Sequence, residues 1–506
     1  MKKFFLSACI LFFSASIHFS QTTPMFVTDS LDNYVLRGMK NWEIPGMAVL
    51  IVKDGNVIVS KAYGVKELGK SDLADENTLF LIGSNTKAFT GTALALLEQE
   101  GKLKLDDKVI KYIPDFKMKD PWITNDLTLT DIVTHRMGYE TFQGDFMFWA
   151  SDLTADEVIE KLGSTTPKFD FRTKYGYTNA GYAIAGKVIE KVSGLTWSNF
   201  LKEKLFKPLK MFRTVALSVD FSKSDNTAKP HTKANNQIIV LPFENIDNMA
   251  PCGSIGSSVS DLSHWLIAQL DSGKFEGEIK IPFEVIRRTR KPETIIGRAR
   301  RLYNEGHFNL YGLGWALTDY EGTEIVSHTG AVNGFLSSVT LLPEENLGIA
   351  VLTNSDANSL FEMLKWEIVD SYLGLPYRNY DQVAFNRSLT RENQISELII
   401  QWQDSVKMDI KPQIPLSDFA GKYKHEVYGF AELELNGNSL LLKLEHHSNL
   451  TAKLEYIGSN RFLCTYSNPT YGIKVFPFET EDGKVKSFTL FVTEGLDFQP
   501  YKFIKY

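Results

Sequence analysis

The sequence predicts an α/β protein of the α+β kind: an antiparallel sheet flanked by helices, an inserted and mostly helical subdomain, and a small all-β barrel at the C-terminal end. Two strand-like segments near the start precede a long helical block, after which strand-like segments return. Residues 416–506 hold only short segments of alternating polarity. This order predicts a sheet whose strands come from both ends of one domain, followed by a second domain.

Length and composition agree with two globular domains. A chain of 506 residues exceeds what one hydrophobic core usually supports. The formal net charge of −6 gives no broad basic surface, which argues against nucleic acid as the partner. Beyond the first twenty residues only Cys252 and Cys464 remain, which are too few for a disulfide framework.

The first twenty residues have the pattern of a secretory signal peptide. Two lysines precede an apolar run at 4–17, and small or polar residues end the pattern near Ser20. The run is too short to span a bilayer, and no later stretch offers the ~20 apolar residues of a transmembrane helix. A lipidation site at Cys9 is disfavoured because this cysteine lies inside the apolar run. We therefore expect residues 1–20 to be removed and the protein to be periplasmic or secreted.

Residues 24–376 are predicted to form the first domain. Two apolar strands at 47–52 and 57–63 are joined by Asp54-Gly55, a strong signal for a two-residue hairpin turn. A mostly helical block follows from 154 to about 270. Strand patterns then return and a helix ends the domain, at 313–317, 334–341, 348–352 and 359–373 respectively. A cleft between the sheet and the helical block is the natural place for a site.

Residues 377–415 are predicted to be a linker, because the sheet pattern stops and a charged amphipathic stretch leads to Pro412 and Pro415. Residues 416–506 are predicted to be a separate β domain. Its short alternating segments are punctuated by Asn436-Gly437 and Asp482-Gly483, which favour tight hairpins. Such a tail is typical of a small antiparallel barrel or sandwich.

The candidate chemistry begins at Ser84 and Lys87, which precede an alanine- and leucine-rich run. Residues three apart share one face of a helix, so the amine can reach the hydroxyl. A serine becomes a nucleophile when a neighbouring base takes its proton, and a lysine can be that base only where its pKa is lowered. Both a base beside the serine and a lowered lysine pKa require that the two side chains lie in a cleft. The competing interpretation is a solvated helix start.

Two further motifs follow in a fixed order, Tyr177-Thr178-Asn179 before a predicted helix and His328-Thr329-Gly330 near a late strand. With the serine motif they resemble the serine β-lactamase and penicillin-binding protein superfamily, nearest its class C, D-aminopeptidase and esterase branch. The resemblance covers residues 24–375. It extends to supporting stretches at 44–46, 134–138, 250–253 and 311–315.

The resemblance implies a role for each motif residue. Ser84 would be the acylated nucleophile, Lys87 would accept its proton, and Tyr177 would shuttle protons to the leaving group and the deacylating water. Asn179 would bind a substrate carbonyl or the lysine amine. The backbone N–H groups of Ser84 and Ala331 would form the oxyanion hole.

The remaining substrate-binding residues implied by the resemblance are His328, Thr329, Gly330 and Gln143. Where this sequence has His328, the antibiotic-hydrolysing and cell-wall members have a lysine that holds the substrate carboxylate. Histidine is mostly neutral at pH 7, so this electrostatic hold is weaker. The resemblance therefore favours peptide or ester hydrolysis over β-lactam hydrolysis, with penicillin as a slow acylating inhibitor. The alternatives are purely structural roles. His328 would be a histidine at the end of a strand, and Tyr177 and Asn179 would be a helix cap with a core aromatic.

The leading hypothesis is an exported serine hydrolase that cleaves an amide or ester, most plausibly in a peptide with a D-residue. A β-lactamase or D-Ala-D-Ala carboxypeptidase is the alternative within enzymes, and a non-catalytic penicillin-binding or cell-wall sensor protein is the rival class. We expect a small-molecule or short-peptide substrate, with the cell wall as one source, no cofactor, and no metal because no metal-binding spacing occurs. The absence of a Gly-x-Ser-x-Gly elbow argues against an α/β-hydrolase. The tail resembles the lipocalin-like barrel of this branch, which would roof the cleft or mediate homo-oligomerisation.

Overall fold

A computed structural model describes residues 23–299 and 303–506. The predicted signal peptide lies outside these residues. The helices are α1 (Leu31–Trp42), α2 (Thr86–Gln99), α3 (Pro121–Asp126), α4 (Leu129–Val133), α5 (Asp145–Phe148), α6 (Ala155–Ser164), α7 (Ala180–Ser193), α8 (Trp197–Leu201), α9 (Ser218–Lys223), α10 (Ala250–Gly253), α11 (Val259–Leu270), α12 (Phe283–Thr289), α13 (Leu360–Tyr372), α14 (Tyr380–Lys407) and α15 (Leu416–Phe419).

The strands are β1 (Gly46–Lys53), β2 (Asn56–Gly64), β3 (Phe80–Leu81), β4 (His231–Ala234), β5 (Gln237–Val240), β6 (Gly256–Ser257), β7 (Lys274–Phe275), β8 (Glu278–Ile279), β9 (Thr294–Arg298), β10 (Phe308–Tyr311), β11 (Ala316–Tyr320), β12 (Thr323–Val332), β13 (Phe335–Leu342), β14 (Leu347–Thr353), β15 (Gly421–His425), β16 (Gly429–Asn436), β17 (Ser439–Leu444), β18 (Thr451–Tyr456), β19 (Arg461–Tyr466), β20 (Ile473–Glu481), β21 (Lys484–Leu490) and β22 (Tyr501–Lys505).

The first domain is built on an eight-stranded antiparallel sheet in the order β2-β1-β14-β13-β12-β11-β10-β9. The early hairpin β1-β2 lies beside the late strand β14, with Met47 opposite Thr353 and Lys53 opposite Leu347. The sheet therefore takes strands from both ends of the domain, as the sequence predicts. The turn residues Asp54 and Gly55 have φ of 53° and 74°, the positive values that a tight hairpin requires.

The sheet separates two hydrophobic layers. Because side chains alternate along a strand, Met47 and Val49 of β1 pack towards α1 and α13, while Ala48 and Leu50 pack towards the helical block. The second layer holds α2, whose residues from Thr86 to Leu97 are all buried. A helix enclosed on all sides needs small and apolar residues, which explains its run of alanine and leucine. The cleft-facing end of α2 thus lies between sheet and helical block.

The C-terminal domain is a closed eight-stranded antiparallel barrel, β15 to β22, in which β22 pairs back onto β15. The fold class predicted from the sequence is confirmed. The Asp482-Gly483 turn joins β20 and β21 with φ of 50° and 71° at its two residues. Both values match the mirror-image turn that favours this dipeptide.

Residues 377–415, predicted as a linker, are mostly helical. The helix α14 runs from Tyr380 to Lys407, and only its first two residues are buried. Its start is fixed to the first domain, where Asp381 accepts a hydrogen bond from Trp42 Nε1 (2.6 Å) and Phe385 packs edge-on against Trp42. The sequence pattern does not predict this helix, because most of its apolar residues do not pack in a core. The predicted domain boundaries themselves stay predictions.

Within residues 23–299 and 303–506, no helix is both long and apolar enough to cross a membrane. The two cysteines of the described chain, Cys252 and Cys464, are separate buried thiols.

Candidate active site

The candidate nucleophile, Ser84, lies in a 3-10 turn, Gly83–Asn85, which leads directly into α2. Gly83 has φ of 52°, and a Cβ added there would lie 2.6 Å from Ala331 N on β12. Only glycine allows the serine turn and the strand to come this close. The turn therefore brings the backbone of Ser84 beside that of Ala331, the two residues predicted to supply the oxyanion hole.

Lys87, the second residue of α2, is fully buried. Its Nζ donates to Ser84 Oγ (3.0 Å), Asn179 Oδ1 (2.7 Å) and the Cys252 carbonyl (2.9 Å). Burial disfavours the charged amine and lowers the pKa of Lys87 to about 8, although the nearby Asp145 carboxylate opposes that shift. This is the lowered pKa that a lysine base requires. The hydrogen bond from Nζ to Oγ holds the amine beside the serine oxygen.

Tyr177 covers the same amine. Lys87 Nζ lies 4.7 Å from the centroid of the Tyr177 ring and 5.2 Å from that of Tyr182. The Tyr177 hydroxyl is buried and has no hydrogen-bond partner in the described parts of the chain. Burial raises the pKa of this phenol well above its ordinary value, and the nearby Ser84 hydroxyl opposes the rise. Tyr177 is thus a neutral phenol at pH 7, and the basic group is Lys87.

Asn179 links the lysine to a buried carboxyl group. Its Oδ1 accepts from Lys87 and its Nδ2 donates to Asp145 Oδ2 (2.6 Å). Each end of the amide therefore has one partner, which fixes its orientation. Asp145 is not identified from the sequence, because a single aspartate at the start of a four-residue helix has no distinctive spacing. The predicted Asn179–Lys87 contact is present.

His328 lies in β12 and is buried. Its Nε2 pairs with the Tyr311 hydroxyl (2.9 Å), and its Nδ1 pairs with the Thr329 carbonyl (2.5 Å). Burial and the Lys87 charge lower the pKa of His328 to about 3. The imidazole is therefore neutral at pH 7 and supplies no positive charge for a substrate carboxylate.

The rest of the triplet forms the strand edge of the site. Thr329 and Ala331 are exposed on β12, whereas Gly330 between them is buried. A Cβ on Gly330 would lie 1.9 Å from the Ile82 carbonyl, so this glycine lets β12 pack on the backbone before Ser84. The side chains of the exposed alternate residues, Thr329 and Ala331, face away from that contact.

His135 packs against the tyrosine motif. The ring is fully buried and tilted against Tyr177, with centroids 4.3 Å apart, and its Nδ1 accepts from Thr178 N (3.0 Å). Burial lowers the pKa of His135 well below its ordinary value. This agrees with a structural role for the His135 loop.

Gln143 does not join the group. Its Oε1 accepts from Glu140 N (3.0 Å) and its Nε2 donates to the Thr166 carbonyl (2.8 Å). Both polar ends are therefore occupied by the loop, and the prediction that this amide contacts substrate finds no support in the geometry.

The barrel contributes residues that sequence reasoning missed. Phe498, half exposed, stacks on Phe142 at 5.9 Å, and Phe142 packs edge-on against Tyr177 at 5.6 Å. Asp497 accepts hydrogen bonds from the backbone on both sides of Asp145. These residues lie more than 300 positions from their partners, so no local pattern could pair them. No group of three or more potential metal ligands occurs among the residues described.

Comparisons with known proteins match two consecutive parts of the chain. A family model described as Beta-lactamase matches residues 31–372, and one described as a domain of unknown function (DUF3471) matches residues 382–505. The first covers more than half of the chain. It includes all three sequence motifs of the site.

Two curated relatives share about a quarter of their residues with this chain. "Unguisins hydrolase ungD" of Aspergillus violaceofuscus is 26% identical over 447 residues, covering 82% of this chain and 78% of its own. "Protein flp" of Staphylococcus aureus strain MW2 is 28% identical over 369 residues, covering 70% and 68%.

Two solved structures share the fold. The octameric penicillin-binding protein homologue from Pyrococcus abyssi has a TM-score of 0.59 and 22% identity, covering 94% of this chain and 99% of its own. SurE has a TM-score of 0.55 and 18% identity, covering 91% and 97%. Both span the sheet domain and the barrel together.

Proposed function

The chain belongs to the β-lactamase family of serine hydrolases, and from this premise we propose that it is an exported enzyme that cleaves an amide or ester bond through an acyl-enzyme on Ser84. The preferred substrate class is a peptide containing a D-residue or a small ester. The observation that carries the proposal is the buried Lys87 amine, 3.0 Å from Ser84 Oγ, with a pKa lowered to about 8.

Acylation uses the groups already in contact. The deprotonated Lys87 amine takes the proton of Ser84 as Oγ attacks the substrate carbonyl carbon. The carbonyl oxygen gains negative charge between the N–H groups of Ser84 and Ala331. The tetrahedral intermediate then collapses, and the proton passes from Lys87 through the Tyr177 hydroxyl to the leaving amine or alcohol. In deacylation the same groups take a proton from a water molecule as it attacks the ester carbon, and they deliver that proton to Ser84 Oγ as the bond between Oγ and the acyl carbon breaks.

The neutral His328 supports the choice of substrate. β-Lactam antibiotics carry a carboxylate that needs an electrostatic partner, and a neutral imidazole donates at most one hydrogen bond. We therefore place β-lactam hydrolysis below peptide and ester hydrolysis, and penicillin is expected to acylate the enzyme slowly. The second candidate, a non-catalytic penicillin-binding sensor, is disfavoured because Lys87 and Tyr177 are positioned on the serine.

The test is covalent labelling followed by a substrate panel. A fluorophosphonate is expected to modify Ser84, identified by mass spectrometry of the digested protein, and Ser84→Ala is expected to abolish both label and turnover. Among short p-nitrophenyl esters, D-Ala-p-nitroanilide and nitrocefin, the first two are expected to be hydrolysed faster. A protein that neither takes the label nor hydrolyses any ester would favour the sensor.

The pH dependence should report Lys87. Because the amine must be unprotonated to accept the serine proton, kcat/KM is expected to rise with pH, with a midpoint near the Lys87 pKa of about 8. His328, with a pKa of about 3, adds no limb between pH 5 and 9. Rates for an activated ester, corrected with Ser84→Ala for background hydrolysis, would measure the profile. A rate that is constant from pH 6 to 10 would contradict the assignment of the base.

The barrel is expected to line the cleft through Phe498, whose exposed ring continues the aromatic row of Tyr177 and Phe142. Phe498→Ala should lower kcat/KM for esters with an aromatic or long acyl chain by roughly 2- to 10-fold, the value of an aromatic contact of about 0.5–1.5 kcal/mol. Acetyl esters should change little. Phe212→Ala, at an exposed phenylalanine of the helical block, is the matched control. Equal effects on short and long esters would contradict a role in selectivity.

A further inference from the structure

A segment of the barrel, residues 491–500 between β21 and β22, reaches the loop that carries Asp145. We call residues 142–148, which include the four-residue helix α5, the site loop. Asp497 is 2% exposed, and its Oδ2 accepts from Gly144 N (3.1 Å) and Phe146 N (3.2 Å). Gln499 also donates to Glu140, just before the loop. A single carboxylate oxygen from the second domain thus holds the backbone on both sides of Asp145.

The site loop connects this contact to the reacting atoms. Asp145 Oδ2 accepts from Asn179 Nδ2 (2.6 Å), and Asn179 Oδ1 accepts from Lys87 Nζ (2.7 Å). Resting on the function proposed above, we propose that Asp497 is a positioning residue: it fixes the site loop from the barrel so that Asp145 and Asn179 hold Lys87 against Ser84. The barrel is then part of the catalytic unit as well as a wall of the cleft.

The contact is built to be rigid. The Oδ2 atom of Asp497 also accepts from the Tyr501 hydroxyl, and Oδ1 accepts from Gln499 N (2.8 Å). Both oxygens are occupied, so the carboxylate cannot turn without losing several charge-assisted hydrogen bonds. If it were absent, two backbone N–H groups of the site loop would be buried without a partner. The loop would then shift, and Asp145 would move with it.

The same arrangement links the charge of Asp497, through Asp145, to the protonation of Lys87. Around Asp145 lie Lys87 and Cys252 from the helical side and Asp497 and Tyr501 from the barrel. Burial raises the pKa of Asp145 well above its ordinary value, and the charge of Asp497 raises it further. Burial raises the pKa of Asp497 itself to about 6. Because the charge of Asp497 disfavours ionisation of Asp145, it also weakens the hold of Asp145 on the Lys87 proton.

Three variants separate position from charge. Asp497→Ala removes all acceptors, and Asp497→Asn keeps the shape and one acceptor but not the charge. Asp482→Asn, in the exposed β20-β21 turn where asparagine suits the φ of 50°, removes the same charge from the same barrel and is the control. Whole-chain variants are used because buried apolar residues of the sheet domain and the barrel form one contiguous cluster. Deleting the barrel would uncover that core.

Asp497→Ala is expected to label Ser84 with fluorophosphonate about 10²-fold more slowly than wild type, the typical cost of a misplaced catalytic group. Its KM for an acetyl ester should be nearly unchanged, because Asp497 does not touch substrate. In Asp497→Asn the pH midpoint of kcat/KM should move upward, since loss of the Asp497 charge lowers the pKa of Asp145 and a more ionised Asp145 holds the proton on Lys87. Hydrogen exchange at residues 142–148 should rise in both variants, a readout that does not need activity. Asp482→Asn should match wild type.

Wild-type labelling rates, unchanged hydrogen exchange in the site loop, or an unshifted pH midpoint in Asp497→Asn would each overturn the inference. If Asp497→Ala fails to fold, the midpoint and exchange of the conservative Asp497→Asn decide the question. A wild-type protein that takes no label on Ser84 would instead defeat the proposed function, whereas the exchange measurement would still show whether Asp497 holds the loop.

Discussion

Lys87→Met is expected to lower kcat/KM for an activated ester by about 10²- to 10⁴-fold, the usual contribution of a positioned general base. Methionine has nearly the same length and fits a buried position, so the cavity around α2 stays filled. What disappears is the amine that contacts Ser84 Oγ, Asn179 Oδ1 and the Cys252 carbonyl. The loss should appear in the acylation step, measured as the rate of fluorophosphonate labelling and as kcat/KM.

Two comparisons show whether the loss is chemical. Lys87→Arg keeps a cation but cannot release its proton near neutral pH, so it should be as impaired as methionine. Lys204→Met, at an exposed lysine paired with Glu100, is the control for lysine replacement in general. Thermal unfolding of each variant, followed by circular dichroism, excludes loss of the fold. Residual activity within tenfold of wild type in Lys87→Met would contradict the assignment of Lys87 as base.

The pieces predicted from the sequence are those fixed by local rules. The β1-β2 hairpin follows from Asp54-Gly55, and the shared face of Ser84 and Lys87 follows from the helical repeat. The barrel turn at Asp482-Gly483 is equally local. For these elements the backbone conformation depends on a few neighbouring residues, so it can be predicted without knowledge of tertiary contacts.

The parts that the sequence could not predict depend on tertiary contacts. The sequence predicts the His-Thr-Gly triplet near a late strand, whereas it lies inside β12, which begins at Thr323. The sequence pattern does not predict this strand, because it contains polar residues and glycine. Its burial comes from tertiary contacts with β13 and the serine turn. The pairing of Asp497 with the loop around Asp145 joins residues about 350 positions apart. Only the folded chain brings these carboxyl groups together.

Gly83→Ala is the second change expected to have a large effect, because position 83 combines an unusual backbone conformation with a close contact. The φ of 52° disfavours any residue with a side chain, and the added methyl would lie 2.6 Å from Ala331 N and 3.0 Å from the Ala331 carbonyl carbon. These atoms are backbone and cannot rotate away as a side chain can. The turn and β12 must therefore separate, which moves the N–H groups of Ser84 and Ala331 apart.

Loss of one oxyanion-hole donor typically lowers kcat by about 10²- to 10³-fold, and we expect kcat of Gly83→Ala to fall within that range. Gly101→Ala, just beyond the other end of α2, is the matched control: its φ of 69° imposes the same kind of backbone cost, but nothing lies within 4 Å of the added Cβ. The control should lose a little stability and keep its kcat. Equal kcat values for the two variants would show that the approach of Gly83 to Ala331 does not set the geometry of the oxyanion hole. A selective loss at position 83 would show that this contact aligns the two donors, because the backbone cost is shared by both variants.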